Sequence, residues 1–198
     1  MKPINAVASG FPMLALAAMA IATGGLAGCT YAGSPETTAA ASRGEAAAAP
    51  VASALLVAAD GSARGQAWVV DRDGRWEIRV DAEGLTPGPH GTHLHTVGEC
   101  VAPGFTTAGG HLNPHGRMHG SENPQGMHLG DLPNLTAGAD GKGSLIVPLA
   151  DNPAQLRTEL FDVDGTAVVI HAGPDDYRTD PAGDSGSRIA CGVLTPAQ

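Results

Sequence analysis

The sequence predicts an all-β domain made of short strands and long loops. The chain has 28 glycines and 15 prolines among its 198 residues, and aromatic residues make up only 4%. So many turn-forming residues argue against a helical bundle. One segment, Arg75–Ala82, alternates strictly between polar and apolar residues, which is the pattern of a half-buried strand. No segment shows a convincing helical period over a window of about eleven residues.

Turn signals separate the candidate strands along the chain. Asp73-Gly74 predicts a β-hairpin, because Asp-Gly favours the tight turns that join antiparallel neighbours. Residues 96–133 form a long stretch rich in Gly, Pro, His and Asn, and a loop of that length is uncommon unless it is functional or held in place. The candidate strands are Ser53–Ala59, Gly65–Asp71, Arg75–Ala82, Ser144–Leu149 and Thr166–His171.

The first 50 residues precede the predicted domain. An apolar run from Phe11 to Thr23 suits a secretory signal and is shorter than a membrane-spanning helix of about 20 residues. Residues 26–29, Leu-Ala-Gly-Cys, resemble the lipobox of bacterial lipoproteins, in which the cysteine is lipidated; an ordinary signal peptide that contains a cysteine is the alternative. We therefore expect a lipoprotein signal peptide over 1–28, a lipidated Ala-rich tether over 29–50 that starts at Cys29, and a folded domain over 51–198.

This leader also predicts a location. The folded domain is expected in the periplasm of a bacterial cell envelope, held to a membrane by the lipid on Cys29. The residue after Cys29 is Thr30 and not an aspartate, and this pattern is associated with sorting to the outer membrane. The sequence does not decide between the two membranes.

Composition argues against two classes of protein. The chain carries 11 Lys and Arg against 20 Asp and Glu, a formal net charge of −9. A nucleic-acid-binding protein needs a basic surface, so this class is disfavoured. Hydrophobic residues make up 42%, which is too many for an intrinsically disordered chain.

Eight histidines lie between His90 and His171, and their spacing predicts a metal centre. His93 and His95 are two apart, so in a strand both imidazoles point to the same face. A looped segment could add further ligands, and imidazoles with one carboxylate suit zinc or copper better than calcium or magnesium. The other candidate ligands are His111, His119, His128, Asp131 and His171.

Taken together, these motifs resemble the copper–zinc superoxide dismutase family across roughly residues 52–195. The resemblance implies an eight-stranded Greek-key β-barrel or sandwich with long metal-binding and electrostatic loops. The matching blocks are Gly91–His95, Gly109–Pro114, His119–Gly120, His128–Leu132, Val169–His171 and Gly186–Val193.

The resemblance also implies an activity and a set of site residues. The expected activity is dismutation of superoxide to oxygen and hydrogen peroxide, with one copper and one zinc per subunit. Copper would be held by His93, His95, His111 and His171, and zinc by His111, His119, His128 and Asp131. Asp175 would hydrogen-bond a ligand of each metal, Arg188 would orient the anion, and His111 would pass on a proton. Cys100 would form a disulfide with Cys191, two free thiols being the alternative.

The sequence leaves open an alternative function and the roles of several residues. A non-catalytic copper-binding or copper-delivery lipoprotein of the same fold is the alternative function, although relatives of that kind typically lose a copper ligand or the arginine. Because the chain is acidic and the substrate is an anion, a local positive field must dominate at the site. Arg178 either adds to that field or is a solvated loop charge. His90 is expected to be a packed or hydrogen-bonded residue, with a metal role as the alternative. The role of His115 and the oligomeric state are undecided, and a homodimer is compatible with the sequence.

Overall fold

The structure is a computed structural model that describes residues 50–198. The predicted signal peptide, Cys29 and the tether up to residue 49 lie outside these residues. Within the described part of the chain, no helix is long and apolar enough to cross a membrane.

Strands dominate residues 50–198, so the all-β prediction is confirmed. The predicted strand over Arg75–Ala82 has the predicted bounds, and the other predicted strands differ from the observed ones by a few residues at their ends. The strands are β1 Pro50–Val57, β2 Ala63–Arg72, β3 Arg75–Ala82, β4 Gly88–His90, β5 Thr92–His95, β6 Leu135–Ala137, β7 Gly143–Pro148, β8 Ala167–His171, β9 Arg188–Val193 and β10 Thr195–Pro196.

The predicted hairpin at Asp73-Gly74 joins β2 to β3. Both residues have positive φ, 54° for Asp73 and 79° for Gly74, as a type I′ turn requires. The Asp71 carboxylate accepts a hydrogen bond from the Gly74 amide at 2.8 Å and so closes the turn. The turn sets the register, which buries Trp76, Ile78 and the other apolar residues of β3.

Most strands belong to one curled antiparallel sheet in the order β5-β8-β9-β1-β2-β3-β7, and β10 also pairs with β1. Neighbours in this order are often distant in sequence, as in a Greek key. A separate pair, β4 and β6, completes the strands. In the β8–β9 ladder, His171 lies opposite Arg188, and the register shifts between Ile170 and His171. A β-bulge of this kind re-aims side chains, here at the end of the strand that carries His171.

The main hydrophobic core fills the inside of the sheet, and a smaller cluster lies on the other face of β8 and β9. Alternate residues of β8 serve the two clusters, with Val168 and Ile170 in the main core and Val169 in the smaller one. Because both faces of β8 are covered, all five of its residues are buried and the strand shows no polar alternation.

The smaller cluster surrounds the disulfide. Cys100 bonds Cys191 with a Cα–Cα distance of 5.7 Å, so the predicted pairing is confirmed and the alternative of free thiols is wrong. Phe105 and Ala108 pack around the bond. The disulfide therefore ties the loop after β5 to strand β9, three residues beyond Arg188.

A helix that the periodicity analysis did not predict, α1, spans Pro153–Leu160. Asn152 caps it by accepting a hydrogen bond from the Gln155 amide at 3.0 Å, and Pro153 follows at the first helical turn. Leu156 and Leu160, four apart, are buried in the main core. The helix has only eight residues, which is too short for a reliable periodicity signal.

The loop between β5 and β6 folds back on β5. Its only helical turn among the described residues is a 3-10 turn at Thr106–Ala108. Two isolated bridges, His93 with Asp131 and His95 with His111, attach the loop to β5. The long loop is thus held beside the strand that carries the first pair of histidines.

Candidate metal centre

The predicted metal-binding residues come together at the ends of β5 and β8, where the long loop crosses them. Their ligand atoms form two sets, each with all atoms within 4.8 Å of one another, and every member is buried. The first set is His93, His95, His111 and His171, and the second is His111, His119, His128 and Asp131.

In the first set, each histidine is oriented by a hydrogen bond on the nitrogen that faces away from the set. His95 and His171 each bring Nδ1 to a backbone carbonyl at 3.0 Å, that of Gly109 and that of Gly186 respectively. His93 brings Nε2 to Asp175 Oδ2 at 2.9 Å. Because these outer nitrogens face acceptors, they carry the protons, and each inner nitrogen is left with a lone pair.

The inner nitrogens of the first set are buried and have no hydrogen-bond partner. They are His93 Nδ1, His95 Nε2, His111 Nε2 and His171 Nε2. Buried polar atoms without partners are rare and need an explanation. A metal ion that accepts four imidazole lone pairs satisfies all of them at once, so these residues fit copper or zinc.

Burial keeps the first set neutral. It lowers the pKa of His95 from 6.5 to about 2 and that of His171 to about 3, against the hydrogen bonds to Gly109 and Gly186, which act in the opposite direction. Neutral imidazole is the form that binds a metal, so these ligands are available over the physiological pH range.

In the second set, three ring nitrogens converge on one carboxylate oxygen. Asp131 Oδ1 lies 2.8 Å from His111 Nδ1, 3.1 Å from His119 Nδ1 and 3.0 Å from His128 Nδ1. One oxygen offers only about two lone pairs, so it cannot accept three good hydrogen bonds. Ligands around a tetrahedral zinc stand about 3.3 Å apart, which is close to these separations, so the set fits zinc.

The Asp131 carboxylate is fixed from behind. Its Oδ2 accepts hydrogen bonds from the amides of Gly120 at 2.8 Å and His128 at 3.0 Å. Burial raises the pKa of Asp131, but the hydrogen bonds from His111 and from these amides outweigh it and lower the pKa below its usual range. The carboxylate is therefore ionised and supplies the negative charge of the set.

His111 belongs to both sets. Its Nδ1 faces Asp131 at 2.8 Å, while its Nε2 faces the other three histidines. Burial lowers its pKa to about 4, although the hydrogen bond to Asp131 acts in the opposite direction. One imidazole with both nitrogens committed can link two metal ions.

Asp175 joins the two sets from the side away from the metals. Its Oδ2 lies 2.9 Å from His93 Nε2 and its Oδ1 lies 3.0 Å from His119 Nε2. Burial raises the pKa of Asp175, but the hydrogen bonds from His93 and His119 outweigh it and bring the pKa to about 2. The structure thus places Asp175 between one histidine of each set.

The sequence analysis did not identify the residues that hold Asp175. The Asn134 side chain accepts a hydrogen bond from the Asp175 amide at 2.8 Å and donates one to its carbonyl at 2.9 Å. Gly183 packs so closely that a Cβ there would stand 1.8 Å from Asp175 Oδ1. Neither residue has a recognisable motif, because both act through tertiary contacts.

A cavity of about 360 Å³ lies beside the two sets of ligands, and two arginines line it. Arg188 lies among its walls with His95, His111 and His171, and its guanidinium donates to the carbonyls of Phe105 at 2.7 Å and Gly109 at 2.6 Å. Arg117, which the sequence analysis missed, lines the same cavity. The sequence contains one signal for Arg117, namely a cationic residue in the loop between the predicted ligands His111 and His119.

Arg178 does not line this cavity. It forms an ion pair with Glu122 at 2.5 Å, and its side chain is 71% exposed. Glu122 partly compensates the charge of Arg178 at the surface, which is consistent with its interpretation as a solvated loop charge.

His90 and His115 lie outside both sets. His90 is buried, with Nδ1 2.8 Å from the His171 carbonyl and Nε2 2.8 Å from the Thr86 carbonyl, so it supports the backbone beside the site as a hydrogen-bonded residue. His115 lies on the surface with Asp151 and Glu159.

The chain is similar to known copper–zinc superoxide dismutases. The family model described as "Copper/zinc superoxide dismutase (SODC)" matches residues 63–194. Copper–zinc superoxide dismutase 2 of Aquifex aeolicus is 43% identical over 148 residues, which cover 72% of this chain and 85% of the relative. The copper–zinc superoxide dismutase of Caulobacter vibrioides is 40% identical over 147 residues, covering 72% of this chain and 84% of the relative. The crystal structure of a SOD-like protein from Bacillus subtilis superposes with a TM-score of 0.67 at 41% identity, covering 72% of this chain and 97% of that one.

Proposed function

Because the chain belongs to the copper/zinc superoxide dismutase family, we propose that it uses the two sets of residues described above for superoxide dismutation in a bacterial cell envelope. Members of the family bind copper and zinc. The reaction converts one superoxide to oxygen and a second, with two protons, to hydrogen peroxide.

The first set holds copper and the second holds zinc. The first set offers four imidazoles and no carboxylate, whereas the second combines three imidazoles with Asp131, a combination that suits tetrahedral zinc. The observation that carries this assignment is the group of four unpartnered inner nitrogens, one of which belongs to the shared His111. The bound copper supplies the one-electron oxidation and reduction that zinc cannot perform.

The residues of the chain supply binding, orientation and proton transfer. Arg188 binds the anion and orients it, since its two hydrogen bonds to backbone carbonyls fix the guanidinium beside His171 and His95. His111 Nε2 is the atom that takes up a proton and hands it on. The other nitrogen of the same ring, Nδ1, faces the second set and lies 2.8 Å from Asp131, so the ring stays in place while Nε2 exchanges the proton.

Attraction of the substrate is a local effect. The formal net charge of −9 repels superoxide at long range. Arg188 and Arg117 line the cavity over the metal sets together with one carboxylate, Asp180, whereas Arg178, paired with Glu122, does not line it. The positive field is therefore concentrated at the cavity, where it raises the encounter rate.

The proposed location is the periplasm, with the domain anchored through lipidated Cys29 and sorted to the outer membrane. The sequence of residues 11–30 supports this proposal, and the Cys100–Cys191 disulfide is compatible with an oxidising compartment. Mass spectrometry of the N-terminal peptide from isolated membranes tests it. A lipid-modified Cys29 at the mature N-terminus is expected, whereas an unmodified peptide that continues through residue 29 would contradict it. Gel filtration with light scattering separately tests a homodimer.

The second candidate is a non-catalytic copper-binding or copper-delivery protein of the same fold. A similar protein from Bacillus subtilis is described only as SOD-like. In this chain all four histidines of the first set, the three additional members of the second set and Arg188 are present. The cavity is lined by Arg188 and by four of the histidines, His95, His111, His128 and His171. This complete arrangement favours the enzyme.

Metal analysis of the purified full chain, combined with a cyanide-sensitive superoxide assay, distinguishes the two candidates. We expect one copper and one zinc per chain, with fast turnover. Full metal occupancy with negligible turnover would support the binding protein and refute the enzyme.

A further inference from the structure

A third group of metal-ligating side chains lies outside the two buried sets. His115 Nε2 stands 3.1 Å from Asp151 Oδ2 and 3.6 Å from Glu159 Oε1, and the three ligand atoms lie within 4.8 Å of one another. The residues come from three segments: the long loop, the turn after β7 and helix α1. Only the tertiary fold brings them together.

The group is accessible but partly shielded. The side chains of His115, Asp151 and Glu159 are 35%, 26% and 12% exposed. The most buried member carries an unsatisfied atom, because Glu159 Oε2 is buried without a hydrogen-bond partner while Oε1 accepts from Gln155 Nε2 at 3.0 Å. Within residues 50–198, Asp151 and Glu159 form ion pairs with His115 and with no lysine or arginine.

The donor chemistry indicates the kind of ion. One imidazole with two carboxylates is a zinc-type ligand set, whereas calcium and magnesium prefer oxygen ligands alone. Ligands around zinc stand about 3.3 Å apart, and the two measured separations lie close to this value. Water would complete the coordination, as the exposure of the group allows.

The position of the group relates it to the buried zinc set. A cavity of about 160 Å³ has His115 and Asp151 on its wall together with His128 and Asp131 of the second set. An ion held at the surface would therefore stand at the cavity that also reaches two of the buried ligands.

We propose that His115, Asp151 and Glu159 form a surface zinc-capture site that supplies the buried zinc set. The proposal rests on the assignment of zinc to His111, His119, His128 and Asp131. An exposed site with few ligands binds and releases zinc quickly, whereas the buried set holds it tightly. Zinc captured at the surface raises the local concentration at the cavity and so speeds the filling of the buried set.

Equilibrium binding of zinc to the metal-loaded full chain tests the capture site directly. We expect one additional zinc per chain, which a chelating dye removes in a fast phase, while the buried zinc leaves in a slow phase. His115→Gln and Glu159→Gln should each weaken the additional site by at least about tenfold, since changes even to residues that support metal ligands cost 10–100-fold in affinity. The matched control, Glu83→Gln, removes one charge from an exposed carboxylate that lies 4.0 Å from Lys142, and should leave the additional zinc in place.

Zinc loading of the full chain after metal removal tests the supply role, with circular dichroism to confirm that the fold persists. At limiting zinc, the slow-phase zinc should appear about threefold or more slowly in the His115→Gln variant than in the parent and in the Glu83→Gln control. Absence of an additional zinc, or equal loading rates in all three proteins, would overturn the proposal. Absence of any slow-phase zinc would instead refute the assignment of the buried zinc set, so the two failures are distinguishable.

Discussion

Replacing Gly183 with alanine should weaken zinc binding although this residue ligates no metal. Gly183 has a φ of +64° and is packed against the carboxylate that joins the two sets. A Cβ at this position would stand 1.8 Å from Asp175 Oδ1 and 2.7 Å from His119 Nε2. Both distances are shorter than a van der Waals contact, so Asp175 or the loop of Gly183 must move.

Two effects contribute to the expected magnitude. A residue with a Cβ in the left-handed region costs about 1–2 kcal/mol of folding free energy. Displacement of Asp175 also removes its contacts of 2.9 Å to His93 and 3.0 Å to His119. Loss of such a supporting carboxylate lowers metal affinity by about 10–100-fold, or about 1.4–2.8 kcal/mol.

Zinc competition with a chelator measures the affinity, and urea denaturation of the metal-free chain measures the folding cost. Gly61→Ala is the matched control, because Gly61 has a φ of +81° and no atom within 4 Å of the added Cβ. Both variants should lose folding stability from backbone strain, and Gly183→Ala should lose more because of the clash with Asp175, but only Gly183→Ala should lose zinc affinity. Equal zinc affinities in the two variants would refute the argument that Asp175 depends on the space at Gly183.

The remaining predictions concern the cavity, the disulfide and pH. Arg188→Ala should lower the superoxide dismutation rate by at least about tenfold with copper retained, and Arg117→Ala should lower it less; loss of copper from the Arg188 variant would make its role structural. Replacing both Cys100 and Cys191 with serine should lower the free energy of unfolding by about 4–5 kcal/mol, since the bond spans 91 residues; an unchanged urea midpoint would contradict this. Burial lowers the pKa values of His95, His111 and His171 below 6.5, so the unfolded metal-free chain binds more protons and stability falls as pH drops from 6.5 toward 4. Urea denaturation of the metal-free chain should therefore give a free energy of unfolding that is lower at pH 5 than at pH 7, by on the order of 2 kcal/mol per histidine, and a higher value at pH 5 would refute this reasoning.

Local patterns account for the parts of the fold that could be predicted. The alternation in Arg75–Ala82 and the Asp73-Gly74 turn depend on neighbours in sequence, and both appear in the structure as expected. Helix α1 was missed because it is short and its stability comes from Leu156 and Leu160 in the core. The three-residue strands β4 and β6 have no periodic signal at all and exist only as partners of each other.

The candidate site divides in the same way. The histidines and Asp131 stand in recognisable motifs, and the structure brings them into two sets. Asn134, Gly183 and Arg117 have no such motif, and each acts through a contact or a cavity that no local pattern encodes. No local pattern predicts the group formed by His115, Asp151 and Glu159, because its members are far apart in sequence.

The sequence by itself determined the ligand types, the strand and turn pattern, and the family resemblance, because residue chemistry and short-range periodicity are local properties. Only the tertiary structure decided which nitrogen of each histidine faces the metal set, since that choice depends on carbonyl or carboxylate partners such as Gly109 and Asp175, which are distant in sequence. It also decided which arginine serves the cavity, because Arg117 lines the wall while Arg178 is paired with Glu122 at the surface. Hydrogen-bond direction and local electric field depend on arrangement in space, and only the folded chain sets that arrangement.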